Sequence, residues 1–210
     1  SLGNLLVNEN FDGSLGYDSS LWNVQSSTGA AATKQGSGTL LLSSNNKSHV
    51  TLSSKNTMSY GVAEFRAKFT PATNWNSGDG GRQQFGWSDA SVQTNKYEFD
   101  DLDIADYFIV MYQRANVSTL FYGGTGTGSG RQGMNLEHDT TISSFHKYRM
   151  EWIPNGVFKF YIDDVLKETN TSAPGHNNSP ALPFKIGSAE LSYDTGGSWE
   201  IDWVRIWEID

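Results

Sequence analysis

The sequence predicts an all-β fold, a two-sheet antiparallel β-sandwich, on three observations. Apolar residues recur with period two or in short β-branched and aromatic runs, and helical apolar spacing is hard to find anywhere in the 210 residues. Gly, Asn and Ser clusters punctuate those runs at short intervals, which is the turn chemistry of an all-β chain. Finally, the runs number about a dozen, too many for one sheet to bury, so they imply two packed sheets.

In chain order the predicted strands are Leu5–Asn8, Thr39–Ser43, His49–Ser53, Gly61–Phe69, Gln83–Trp87, Tyr107–Gln113, Ser118–Tyr122, His146–Ile153, Val157–Ile162, Val165–Glu168, Phe184–Ser188 and Ser198–Trp207. The cleanest is Gly61–Phe69, with Ala63, Phe65, Ala67 and Phe69 on one face and Glu64, Arg66 and Lys68 on the other. Val157–Ile162 and Val165–Glu168 flank Asp163-Asp164, a two-residue loop that needs positive φ, so they form a hairpin. Asn74–Gly81 and the Gly-rich Thr125–Arg131 read as surface loops, the latter without a following helix that would make it a phosphate cradle. With no linker and no internal repeat, residues 1–210 form one expected domain.

Composition excludes several classes of function. Seven Trp, nine Tyr and eleven Phe against 18% charged residues are the inverse of a disordered chain. A net charge of -8 disfavours nucleic acid and anionic membrane, which need clustered Lys and Arg. No apolar run reaches the roughly 20 residues of a membrane span. The four His have no paired spacing and there is no Cys, so neither a zinc site nor a catalytic triad is indicated. The expected chain is a monomer, extracellular or at the cell surface, without an organic cofactor; Asn46, Asn116, Asn170 and Asn177 are sequons that matter only in a eukaryotic host.

Five segments, in order, carry a family resemblance: Val7–Gly13 with Ser20-Leu21-Trp22; Gly38–Leu42; Tyr60–Lys68; Phe145–Trp152 with Phe160–Asp164; and Ile201–Trp207. The Phe-His-x-Tyr-x-x-x-Trp and Asp-Trp-Val-Arg motifs are the most specific of them. The chain resembles glycoside hydrolase family 16, the laminarinase, lichenase and agarase group. The resemblance implies a concanavalin A-like jelly roll whose concave face forms a saccharide cleft. It places His146 near a strand start in a structural role. It also implies a structural calcium held by the Asp202 carboxylate, backbone carbonyls at Glu9 or Asn10, and Gly38.

Enzymes of that family carry Glu-x-Asp-x-Glu, or a bulged Glu-x-Asp-x-x-Glu, on one inward-facing strand. The one counterpart here is Tyr97–Asp106, where Glu98, Asp100 and Asp103 would be nucleophile, electrostatic helper and acid/base. The motif is degenerate. Glu98 and Asp100 share strand parity, but Asp103 points the other way unless a bulge intervenes, and Asp is a methylene shorter than Glu. Crowded carboxylates at 98, 100, 101, 103 and 106 also suit a solvated connection, and Asp100, Asp101 and Asp103 could hold calcium.

Sugars stack their C–H faces on aromatic rings and direct hydroxyls to amides and guanidinium groups. Trp75, Trp87 and Tyr112 are the aromatics expected at a cleft, with Gln83, Gln113 and Arg114 as polar neighbours; Trp152, Trp203 and Phe160 read as core. The expected partner is a polysaccharide or oligosaccharide. Two readings follow: a polysaccharide-binding module related to family 16 glycosidases, or an active endo-β-glycanase cleaving a β-glucan or galactan with retention.

Overall fold

The computed structural model describes residues 1–45, 47–70, 81–91, 99, 105–114, 120–127, 130–171, 180–189 and 197–210. Fifteen strands run through it: β1 (Leu2–Glu9), β2 (Trp22–Ser26), β3 (Ala31–Lys34), β4 (Leu40–Ser44), β5 (His49–Met58), β6 (Gly61–Thr70), β7 (Arg82–Ser88), β8 (Tyr107–Arg114), β9 (Leu120–Thr127), β10 (Gly130–Glu137), β11 (His146–Ile153), β12 (Val157–Ile162), β13 (Val165–Asn170), β14 (Leu182–Ala189) and β15 (Gly197–Ile209).

All pairings are antiparallel. One sheet has eight strands in the order β13-β12-β11-β6-β15-β4-β3, with β1 also on β15; the other has seven, in the order β10-β9-β8-β7-β14-β5-β2. The expected two-sheet antiparallel sandwich is therefore the fold of this chain. Alternation makes it: β6 buries Ala63, Phe65, Ala67 and Phe69, as its sequence foretold, and leaves Glu64, Arg66 and Lys68 outward. Between the sheets lies an aromatic lattice in which Phe65 meets Phe85 edge-on at 4.8 Å and Phe69 stacks on Trp199 at 4.9 Å. Trp152 and Phe160 belong to this core, as expected. The Asp163-Asp164 hairpin is also present, both residues at positive φ (50° and 67°).

Three expectations are corrected. Thr125–Arg131 is not a loop: Thr125 to Thr127 end β9 and pair with Gln132 to Gly130 of β10. Just upstream in β9, Gly123 marks a close approach; a Cβ there would lie 2.5 Å from the Val110 carbonyl oxygen. Trp203 is not core. A register shift between Ile201 and Trp203 inserts an extra residue into β15, so Ile201 and Val204 point inward and Trp203 comes to the outer face under the Arg205 guanidinium, 4.4 Å away. The sequence reading also passed over β2 and β3, short strands whose residues are mostly exposed.

Candidate functional site on the outer face of the seven-stranded sheet

β7, β8 and β14 lie side by side, and strand parity divides their residues. Phe85, Trp87, Ile109, Met111, Phe184 and Ile186 face the core. Gln84, Gly86 and Ser88 of β7 lie opposite Tyr112, Val110 and Phe108 of β8, and Gly187 and Lys185 of β14 lie opposite Gln84 and Gly86. Together they form the outer face. Gly86 is obligatory there: its φ is +147°, and a Cβ would fall 2.0 Å from the Ile109 carbonyl oxygen.

This face is covered. Ala90, Phe99, Ala105, Phe108 and Val110 form a hydrophobic cluster separate from the inter-sheet core. Phe99, 1% exposed, is held by its main chain: its N–H donates to Gln84 Oε1 at 3.1 Å, and its carbonyl accepts from Ser88 Oγ at 2.7 Å. Ser88 Oγ in turn accepts the Ala90 N–H at 3.0 Å. Lys185, 8% exposed, donates its ammonium to the Ala90 carbonyl and lies 6.0 Å from the Phe99 ring. Burial lowers its pKa, partly opposed by the charge of Asp89. Farther along the face the Arg82 guanidinium lies over the Tyr112 ring at 4.5 Å, and Arg82 is the register partner of Arg114.

The predicted site residues divide accordingly. Tyr112 is on the outer face, and the backbone of Arg114 lies in β8 beside Arg82. Trp87 and Gln83 are not there. Both have the parity of Phe85 and are fully buried between the sheets, Trp87 against Phe184 at 5.1 Å and Gln83 donating to Ser188 Oγ at 3.2 Å. Neither can stack on or bond a ligand at the outer face. Glu98, Asp100, Asp103 and Trp75 lie outside the described residues. What sequence reasoning missed is the Gln84, Ser88 and Phe99 clamp, which no periodicity marks because every residue of β7 is buried.

The expected calcium residues meet at a seam. Residues 197–201 of β15 pair with β4, and residues 204–209 lie along β1. Asp202 falls at the switch, on the bulge, between the end of β1 at Glu9 and the turn at Gly38, whose φ is +84°. Asp202 Oδ2 accepts from Arg66 Nη1 at 2.6 Å, and Asn10 Oδ1 from Arg205 Nη2 at 3.5 Å. The Glu9 side chain turns inward. Its carboxylate accepts the N–H groups of Phe11 (2.7 Å) and Asp18 (2.6 Å) and the Trp22 indole N–H (3.2 Å). Glu9 thus has a backbone carbonyl to offer an ion rather than its side chain. Among the described residues no three His, Cys, Asp or Glu side chains group as a metal site, so such an ion would rest mainly on carbonyl oxygens. A bulge suits that, because its extra residue stands outside the ladder.

Two stacked antiparallel sheets, one with Ala90, Phe99 and Ala105 packed on its outer face, define the class: a jelly-roll β-sandwich. The profile of glycosyl hydrolases family 16 matches residues 19–205, and the chain belongs to that family. It is 36% identical to a β-glucanase of Paenibacillus polymyxa over 97 residues, covering 40% of this chain and 37% of that protein. Over 245 aligned residues, 98% of this chain and 55% of the relative, it is 22% identical to a keratan-sulfate endo-1,4-β-galactosidase of Sphingobacterium multivorum. The matches thus span about half or less of these relatives' length. Among solved structures, LamA of Zobellia galactanivorans in complex with laminaritriose and laminaritetraose superposes with a TM-score of 0.67 at 16% identity, covering 99% of this chain and 100% of that one.

Proposed function

We propose that this chain binds a β-linked polysaccharide through the outer face of its seven-stranded sheet, without hydrolysing it. One observation carries the reading: β2, β5, β14, β7, β8 and β9, six contiguous strands, contain no Asp or Glu. A retaining glycosidase needs two carboxyl groups about 5–5.5 Å apart, and none of these six described strands supplies one. What the face does offer is Tyr112 with Arg82, Gln84 and Ser88, the aromatic and hydrogen-bonding types that recognise neutral sugars. The names of its relatives point to β-glucan, laminari-oligosaccharides or a galactan as the sugar. We place the protein outside the cell or at its surface, as a monomer, with residues 1–210 as one domain.

Hydrolysis is the second reading, because the residue between Glu98 and Asp100 is clamped to this same face. Glu98 would be the nucleophile, Asp100 its helper and Asp103 the acid/base. Affinity electrophoresis on laminarin, barley β-glucan and keratan sulfate, run beside a reducing-sugar assay on each, separates the two. Retarded migration without sugar release is the expected result. Release that Glu98→Gln abolishes would establish the enzyme instead.

We also propose a structural calcium at the Asp202 seam, held by the Asp202 carboxylate and by carbonyls at Glu9 or Asn10 and Gly38. Excess calcium should raise Tm over an EDTA-treated sample, and Asp202→Asn should shrink the difference; equal Tm values for the wild type in both would remove the ion.

A further inference from the structure

We infer that the outer face contains a subsite sized for one pyranose ring, and that Phe99 of the same chain fills it in the unliganded protein. The inference rests on the reading that the saccharide lies on this face. Its floor is a notch made by two glycines on adjacent strands, Gly86 of β7 and Gly187 of β14, which the Lys185–Gly86 and Gly187–Gln84 register makes diagonal neighbours. Phe99 sits in that notch. A Cβ added to Gly187 would come within 2.9 Å of Phe99 Cζ and 3.1 Å of Thr51 Oγ1.

Polar groups rim the notch, namely Gln84 Oε1, Ser88 Oγ, Thr51 Oγ1 and Lys185 Nζ, all on residues at least nine-tenths buried. An apolar floor with hydrogen-bonding groups at its edge is the environment a pyranose seeks, and a phenyl ring is close to it in size. Phe99 engages the rim as a ligand would. Its N–H goes to Gln84 and its carbonyl to Ser88, while Lys185 is held on the neighbouring Ala90 carbonyl. Side chains, Gln84 and Ser88, hold the main chain of this residue. Its cluster is also separate from the inter-sheet core. A sugar ring that displaced Phe99 would inherit the freed Gln84 and Ser88 groups.

Self-occupation lowers apparent affinity by the fraction of molecules whose notch is open. With about one molecule in ten open, Phe99→Ala should bind roughly tenfold more tightly. The test is affinity electrophoresis of wild type, Phe99→Ala and Gln84→Ala on laminarin, barley β-glucan and keratan sulfate, each variant first shown to melt cooperatively. Stronger retardation of Phe99→Ala than of wild type is expected, including on a gel that fails to retard wild type. Equal or weaker retardation of Phe99→Ala on a gel that does retard wild type overturns the inference and leaves the binding reading standing. If no protein is retarded on any gel, both fall. Wild-type hydrogen exchange keeps the test independent of the variants: saturating polysaccharide should speed exchange at the Phe99 amide. An unchanged rate in the presence of a polysaccharide that binds would count equally against the plug.

Discussion

The outer faces of the two sheets solve opposite problems. On the eight-stranded sheet many outward residues are charged, partly exposed and paired with charged neighbours across or along the strands: Arg66 with Asp202 at 2.6 Å, Lys68 with Glu200 at 3.1 Å, and Arg149 with Glu64 at 2.5 Å and Glu151 at 2.8 Å. On the seven-stranded sheet the outward residues of the central strands are apolar, glycine, neutral polar or cationic, with no acid among them, and those whose burial is described are buried. A face that meets water tolerates substitution, since exposed ion pairs contribute little. One that receives another segment does not, because each position has a shape to match. The difference locates specificity on the seven-stranded sheet and solubility on the other.

Gly86→Ala is the sharpest way to break that contrast, and it should have the largest effect. The substitution places a Cβ 2.0 Å from a backbone oxygen at a φ that L-residues rarely adopt. We expect a loss of about 3 kcal/mol or more, read as a lower urea midpoint or as failure to fold. Gly133→Ala in the same sheet, an exposed position of β10 with nothing within 4 Å of the new Cβ, is the control and should change stability by less than about 0.5 kcal/mol. Equal losses would show that the glycines act through chain entropy rather than through close approach.

Glu9→Ala should come next, and it tests the eight-stranded side. Glu9 is the one carboxylate of β1 and is 3% exposed, unlike the outward acids of β6 and β15. Its removal strands the N–H groups of Phe11, Asp18 and Trp22, at a loss of about 2–3 kcal/mol in urea unfolding. A loss near zero would mean that water replaces the carboxylate, and that this end of the sheet is no more demanding than its charged face.

The sequence made one side of the comparison far more legible than the other. Where a strand meets water on one face, period-two alternation states its register, and β6, β11 and β12 were found with ends correct to within a residue. Where both faces are buried, alternation is silent. Every residue of β7 is buried, so nothing in Arg82–Ser88 told Trp87 from Gln84, and Trp87 and Gln83 were assigned to the wrong side. The Gly-rich stretch 125–131, where β9 ends and β10 begins, reads as a loop for a related reason: glycine within a strand and glycine that turns the chain are the same letter. Trp203 was misplaced by a single bulge, because one inserted residue inverts parity from there on. Only the site's outline was legible. Tyr112 could be found by its aromatic type, whereas the Phe99 clamp depends on contacts between residues 11 and 15 positions apart that no periodicity encodes.

The smallest expected effect belongs to Lys68→Ala on the water-facing sheet, and its value lies in its pH dependence. At neutral pH the loss should stay below about 1 kcal/mol, because the Lys68 side chain is 37% exposed and such pairs are screened. Burial alone would raise the pKa of Glu200, but the Thr39 hydroxyl at 2.5 Å and the Lys68 ammonium outweigh it and hold the carboxyl below its usual value of 4.5. A carboxylate depressed on folding stabilises the protein above its unfolded pKa, and that contribution disappears as pH falls through the folded one. Wild type should therefore lose stability on acidification from pH 5 toward pH 3, as read from the urea midpoint. Lys68→Ala should lose less over the same interval, since one of the three groups that depress Glu200 (Thr39, Lys68 and Ser37) is gone. Parallel curves would assign the depression to the Thr39 and Ser37 hydroxyls, and the outer face of the eight-stranded sheet would then owe its tolerance to hydroxyl contacts rather than to paired charge.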